Sequence, residues 1–130
     1  MIYVDSSVVL AQLLAEDRYP DPSLWQAGAL VSSRLLEYEV WTRINGSGLA
    51  SSHGDDVRHL LGRLALLELS QPVLARALDP FPSPVRTLDA LHLASIDFLR
   101  GLGQRPQLAT YDLRLSAAAV ALGVPLVTLA

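Results

Sequence analysis

The amino-acid sequence predicts an α/β fold: one parallel sheet of about five short strands, covered by helices on both faces. Three observations carry this reading. Short apolar runs containing β-branched residues alternate with longer segments whose apolar residues recur at helical spacing. That alternation marks parallel strands joined by crossover helices, which cover the sheet on both sides. The length, 130 residues of which 51% are hydrophobic, suits one domain with a packed core and is too short for two. Gly and Pro punctuate the apolar runs, so none approaches the roughly 18 residues of a membrane span.

The elements follow in order. Ile2–Val4 reads as a buried strand, and Ser6–Glu16 as a helix with Val9, Leu10, Leu13 and Leu14 on its apolar side. Pro20, Asp21 and Pro22 mark a loop anchored by Trp25. Ala29–Val31 is a second strand. A helix starting at Ser32 or Ser33 carries Leu36, Val40 and Ile44 in one stripe and stops at Asn45-Gly46-Ser47-Gly48. Residues 55–67 form an amphipathic helix through Val57, Leu60, Leu61, Leu64 and Leu67, with Ser52 or His53 near its cap. Glu68–Ser70 is a short strand candidate, and a short helix follows from Pro72 to Leu78. Pro80, Pro82 and Pro84 end it. Thr87 caps a helix running to Arg100, in which Asp97 reads as a solvated residue. Gln107–Thr110 is a strand, Leu113–Leu122 a helix, and Leu126–Leu129 a closing strand after Gly123 and Pro125.

Composition narrows the chemistry. Cysteine is absent, which excludes disulfides and thiolate metal sites and leaves oxygen or imidazole as ligands. All ten basic residues are Arg, the better bidentate phosphate binder. The net charge of −3 opposes broad attraction to nucleic acid, so an RNA substrate requires a local basic rim around a negative site. The opening MIYVDSSVVLAQLLAED has no basic leader, which predicts no signal peptide and a cytoplasmic protein.

In such folds, sites gather at the carboxyl ends of the strands. Asp5 directly follows the first strand, and Asp112 follows the Gln107–Thr110 strand with only Tyr111 between. Asp89 lies in the first turn of the helix LDALHLA, and Glu39 lies within the helix after the second strand. Singly, each has a structural explanation. Asp5 and Asp112 sit where helix caps belong, Asp89 where a helix dipole favours an anion, and Glu39 four residues before Arg43. Jointly, four acids recur at matching ends of successive β–α units. Two carboxylates ~4 Å apart repel by roughly 4 kcal/mol at an effective dielectric of about 20, so such a cluster calls for protonation or a cation. An oxygen-only site suits Mg²⁺ or Mn²⁺ and metal-dependent phosphate chemistry.

The sequence also resembles a known family. IYVDSSVVL is similar to the first motif of PIN domains, an apolar strand ending in Asp and followed by Ser or Thr. SRLLEYEVWTRI resembles the second, a helix carrying Glu, an apolar residue and then Arg. RTLDALHLASI is very like the third motif of the VapC branch, and LATYDLRLSAAAVALGVPLV resembles the fourth. All four occur in order over essentially the whole chain. The resemblance implies a single PIN-like nuclease domain over residues 1–130 with a parallel sheet of about five strands. It further implies a catalytic set of Asp5, Glu39, Asp89 and Asp112 that binds Mg²⁺ or Mn²⁺. The implied activity is endonucleolytic hydrolysis of RNA by the toxin of a toxin–antitoxin pair, with a homodimer and a cognate antitoxin as partners. Glu37 competes with Glu39, since two positions on a helix point about 200° apart; the alignment with Arg43 favours Glu39.

Around these four, Ser6 is a candidate for a metal-bound water or a phosphate, and equally for a plain helix residue. Thr110 reads as a residue that orients Asp112. His92 reads as a packed, hydrogen-bonded histidine; Arg86 and Arg114 are the best candidates for RNA backbone contacts, though ordinary surface charge accounts for each more readily. Competing readings are a non-catalytic PIN-like binding module, an RNA-processing module without a toxin role, and a phosphate-accepting receiver domain, which wants a Lys this chain lacks. A haloacid-dehalogenase-like phosphatase wants Asp at position 7, where Ser7 stands. DNA cleavage in the manner of flap nucleases ranks low, because those relatives are larger.

Overall fold

Four parallel strands form one sheet in the order β3-β2-β1-β4, with β1 at Ile2–Val4, β2 at Leu30–Ser33, β3 at Ala65–Leu67 and β4 at Gln107–Ala109. Among the described residues six α-helices surround it: α1 (Ser6–Leu14), α2 (Arg34–Gly46), α3 (Ala50–Leu61), α4 (Gln71–Leu78), α5 (Thr87–Gly101) and α6 (Leu113–Ala121). This computed structural model describes residues 1–15 and 17–129. No helix among them is long and apolar enough to cross a membrane.

Strand residues alternate between two cores. Val4 and Ala109 join Val8, Leu36, Val40, Ile44 and Val57 on the face covered by α1, α2 and α3. Tyr3 and Leu108 join Leu93, Ile96, Leu115 and Ala119 on the face covered by α5 and α6. The strand order places the site. From β1 the chain winds outward through β2 to β3, then returns across the sheet to lay β4 on the other side of β1. Right-handed crossovers therefore put α1 and α2 on one face and α5 on the other. The crevice where winding reverses opens beyond the carboxyl ends of β1 and β4. Asp5 and Asp112 stand on its two sides, and Asp5 N donates to Ala109 O at 3.0 Å.

Several boundaries correct the sequence expectation. The first helix stops at Leu14, where Ala15 adopts a left-handed φ of 48° and returns its N–H to Ala11 O; the expected end at Glu16 lies outside the described residues. The loop after it contains a 3-10 turn at Pro22–Gln26, whose Trp25 donates from Nε1 to Gln12 Oε1 at 2.8 Å. The α2 stripe of Leu36, Val40 and Ile44 is wholly buried, each contributing about 1.5–3 kcal/mol by leaving water. Ser33 caps this helix by accepting from Leu35 N. Helix α3 starts at Ala50, earlier than expected, because Gly48 at φ +69° turns the chain at once and leaves no room for a longer loop. Ser51, Ser52, His53 and Gly54 in its first turns are weak helix formers, which hides this start in the sequence.

Leu64 and Leu67 continue the helical spacing but belong to the turn and to β3, not to α3. The third strand is Ala65–Leu67 rather than Glu68–Ser70: β2 passes into α2 after Ser33, so Glu68 has no strand opposite it. Leu126–Leu129 makes a single bridge, Leu108 to Leu126, so the sheet has four strands rather than five. Pro125, with no N–H, sits at the start of that segment and offers only its carbonyl to Leu108 N. Thr87 is the first residue of α5, and Arg86 takes the cap position. Asp97 is part-exposed and also paired: Arg76 donates to it at 2.7 Å and ties α4 to α5.

Candidate active site

The four sequence-selected acids come from four different elements and line one cavity of about 360 Å³ at the switch point. Asp5 ends β1, Glu39 lies on α2, Asp89 in the first turn of α5, and Asp112 just before α6. Asp5 is 5% exposed.

Two of the acids cap helices and still face the crevice. Asp5 caps α1 with Oδ2, which accepts from Ser7 N at 3.3 Å, Ser7 Oγ at 2.7 Å and Thr110 Oγ1 at 2.8 Å. Its other oxygen lies 4.0 Å from His92 Nε2. Asp112 caps α6 with Oδ1, accepting from Arg114 N at 2.9 Å and Leu115 N at 3.1 Å. Capping thus uses one oxygen of each carboxylate. Cap and site are not alternatives here; the cap fixes the rotamer that presents the second oxygen.

Thr110 serves both acids at once. Its hydroxyl donates to Asp5 and accepts Asp112 N at 2.9 Å, so it orders the backbone that leads into Asp112. Ser7 completes the set by accepting Tyr111 N at 2.9 Å. Sequence reasoning weighed Ser6, which lines the cavity, and passed over Ser7. The signal was its position two residues after Asp5, where a hydroxyl can return to a capping carboxylate. Glu37 and Glu39 separate by helix geometry: Glu37 pairs with Arg34, which also holds Glu68 at 2.9 Å, whereas Glu39 enters the cavity.

His92 is the residue that sequence reasoning most undervalued. It is packed and hydrogen-bonded, as expected, but one of its partners is a cavity acid. Its Nδ1 lies 2.7 Å from Tyr3 Oη, and its Nε2 lies 2.6 Å from Glu39 Oε1. One ligand atom each from Asp5, Glu39 and His92 fall within 4.8 Å of one another.

Electrostatics register the crowding. Asp89 is held above the ordinary carboxylate range by burial first, then by the charges of Asp112 and Asp5, with His92 and Arg114 opposing. For His92, burial is the largest influence and disfavours the charged ring; the hydrogen bond and charge of Glu39, with Asp5 and Asp89, outweigh it and raise the pKa. Burial pushes the Tyr3 hydroxyl far above its usual range, so it stays protonated. The cavity also has cations at its margins. Arg18 and Arg43 line it directly, and Arg18 lies over the Tyr111 ring at 5.2 Å. Arg86 and Arg114 line an adjoining cleft that shares Glu39, Asp89 and Asp112.

A cavity lined by four carboxylates, one of them raised by burial and then by its like-charged neighbours, is matched chemically by a hard divalent cation.

Comparison with known proteins agrees with this architecture. The PIN domain family profile matches residues 2–121. Ribonuclease VapC46 of Mycobacterium tuberculosis is 34% identical over 133 residues, covering 97% of this chain and 95% of that protein. Ribonuclease VapC47 of the same species is 27% identical over 120 residues, covering 88% and 87% respectively. A solved toxin-antitoxin complex from Klebsiella pneumoniae contains a chain of the same fold, with a TM-score of 0.67 at 15% identity, covering 98% of this chain and 97% of that one. With the profile spanning nearly the full length and a relative at this identity along it, the chain belongs to the PIN domain family.

Proposed function

We propose that this chain, over residues 1–130, is a metal-dependent endoribonuclease of the VapC type and the toxin of a toxin–antitoxin pair. The observation that carries the reading is the convergence of four carboxylates, from four elements, on one cavity at the topological switch point. The relatives named ribonucleases support the substrate class. Asp5, Glu39, Asp89 and Asp112 would hold Mg²⁺ or Mn²⁺, whose preference for oxygen ligands the cavity meets. Bound there, the ion would activate water and stabilise the developing charge of an in-line displacement at phosphorus.

The chain's own residues prepare that reaction. Ser7 and Thr110 fix Asp5, while the N-terminal N–H groups of α6 fix Asp112. Arg18 and Arg43 on one side, with Arg86 and Arg114 on the other, are suited to phosphate oxygens flanking the scissile bond. They form the local basic rim that a chain of net charge −3 needs to hold RNA. Cytoplasmic RNA is the substrate in this reading.

An apolar groove of about 730 Å³ opens beside Glu39 and Arg43, walled by Leu35, Tyr38, Thr42 and Leu88. Tyr38 is 71% and Leu88 48% exposed. An antitoxin with an apolar segment on this groove and an Arg side chain in the carboxylate cavity would silence the site. Co-purification with the product of an adjacent gene, with loss of nuclease activity, checks that partner; light scattering checks the homodimer.

The test of the function is cleavage of an end-labelled RNA pool by purified protein with Mn²⁺ or Mg²⁺. Cleavage should cease in EDTA and be absent from a mock preparation of Asp89→Asn. With water as the nucleophile and the 3′-oxygen as the leaving group, products should carry 5′-phosphate and 3′-hydroxyl ends. Cyclic 2′,3′-phosphates, or activity that survives chelation, would contradict the reading.

A further inference from the structure

We infer that His92 is a positioning residue that holds Glu39 in the orientation the site requires, acting as the centre of a Tyr3–His92–Glu39 chain. The inference rests on the metal-site reading above and concerns a residue outside its ligand set.

The three residues come from β1, α5 and α2. Since α2 and α5 cover opposite faces of the sheet, the chain links the two layers across the end of the central strand. Tyr3 is 0% and His92 1% exposed. A ring with two polar nitrogens is costly to bury among Leu93, Ala94 and Ile96 unless both are satisfied, and a Leu would fill the space without that requirement. Both nitrogens are satisfied, Nδ1 by Tyr3 and Nε2 by Glu39.

Proton placement follows from the groups. A carboxylate has no proton to give, so the proton between His92 and Glu39 is carried on Nε2. Tyr3 supports that arrangement in either state of the ring: its hydroxyl donates to a bare Nδ1 and accepts from a protonated one. The Nε2–H therefore reaches Glu39 Oε1 at 2.6 Å as a short, charge-assisted bond. Glu39 has a long side chain with several rotamers, and it shares the cavity with the like-charged Asp5, Asp89 and Asp112. Tethering Oε1 leaves Oε2 as the oxygen presented to an ion.

The same distance argues against His92 as a ligand. Two adjacent ligands on an octahedral ion with bonds of about 2.1 Å lie about 3.0 Å apart. A separation of 2.6 Å is that of a donor and its acceptor, not of two atoms sharing a cation.

Two amide substitutions separate the roles. Gln at position 92 places a nitrogen near the Nε2 position and can still donate to Glu39; Asn reaches only as far as Nδ1 and loses it. Mn²⁺ affinity, measured by electron paramagnetic resonance, should stay within about threefold of wild type in His92→Gln. It should fall about 10–100-fold in His92→Asn, the range typical of partners that orient metal ligands. Thermal melts in EDTA confirm that both remain folded, and bound Mn²⁺ in the wild type should show no directly coordinated nitrogen. Equal loss in both variants, equal affinity in both, or a coordinated nitrogen in the wild type would each overturn the inference alone. Should His92→Asn fail to fold, the nitrogen signal and the His92→Gln affinity decide. A wild type that binds no Mn²⁺ would instead overturn the metal-site reading and this inference with it.

Discussion

Substitution of Asp5 separates the two uses of its carboxylate. Oδ2 accepts three hydrogen bonds as cap and anchor, while one oxygen each of Asp5 and Glu39 lies within 4.8 Å of the other. At an effective dielectric of about 20, such a pair repels by roughly 3 kcal/mol, part of it offset by the surrounding donors. Asp5→Asn keeps a good capping oxygen and removes the charge. Asp5→Ala removes both, losing about 1 kcal/mol of cap and the acceptor to which the Ser7 and Thr110 hydroxyls, 3.3 Å apart, both donate. In EDTA, Asp5→Asn should therefore melt at or above wild type, and Asp5→Ala about 2 kcal/mol below Asp5→Asn. At roughly 4 °C per kcal/mol for a domain of this size, that gap is about 8 °C. Mn²⁺ at a hundredfold excess over its Kd should stabilise wild type by about 2.7 kcal/mol and both variants much less. Calorimetric melts of the three proteins, with and without Mn²⁺, provide the comparison. Asp5→Asn destabilised as far as Asp5→Ala in EDTA would show that the carboxylate bears no electrostatic burden, and the reasoning would be refuted.

Further outcomes follow from the same geometry. Glu39→Gln should cost about a hundredfold or more in RNA cleavage, while Glu37→Gln, which breaks only a half-exposed pair with Arg34, should change it by less than about twofold; cleavage kinetics decide. Asp89 has a folded-state pKa raised above its ordinary 3.8, chiefly by burial. Its stabilising contribution is therefore complete below about pH 4 and is lost as pH rises through the folded value. In EDTA, urea titrations from pH 4 to 7 should show the wild type losing stability relative to Asp89→Asn. Ile44→Ala, at a fully buried position of α2, should cost about 2–5 kcal/mol in urea denaturation without altering Mn²⁺ stoichiometry.

The parts of the fold that were legible in the sequence are those whose local signal and tertiary role coincide. Ile2–Val4 is a strand by composition and the central strand by topology; the Leu36–Val40–Ile44 stripe is both helical and buried. Between residues 49 and 70 a helix and a strand were expected and are present, but their boundaries were shifted because two signals disagreed there. Ser51 to Gly54, weak helix formers, hide the start of α3, and Leu64 and Leu67 extend a helical spacing by coincidence while the chain has already turned into an edge strand. The Leu126–Leu129 segment has strand composition but meets β4 in a single bridge, Leu108 to Leu126. Of the site, the acids were legible as charges recurring at strand ends. Ser7, Tyr3 and Arg18 were not, because each acts through a partner distant in sequence: Thr110, His92 and Tyr111 respectively. His92 was visible as a residue and ambiguous as a role, since its burial is the same whether it fills a core or orients an acid.

The central claim is that Asp5, Glu39, Asp89 and Asp112 converge on a divalent ion. Anomalous diffraction from crystals soaked in Mn²⁺, collected at the manganese absorption edge, tests it most directly. The account predicts a peak in the switch-point cavity within about 2.3 Å of carboxylate oxygens from at least three of the four residues, with His92 Nε2 outside the coordination sphere and on Glu39. No peak in that cavity at saturating Mn²⁺, or a peak elsewhere on the molecule alone, would contradict it.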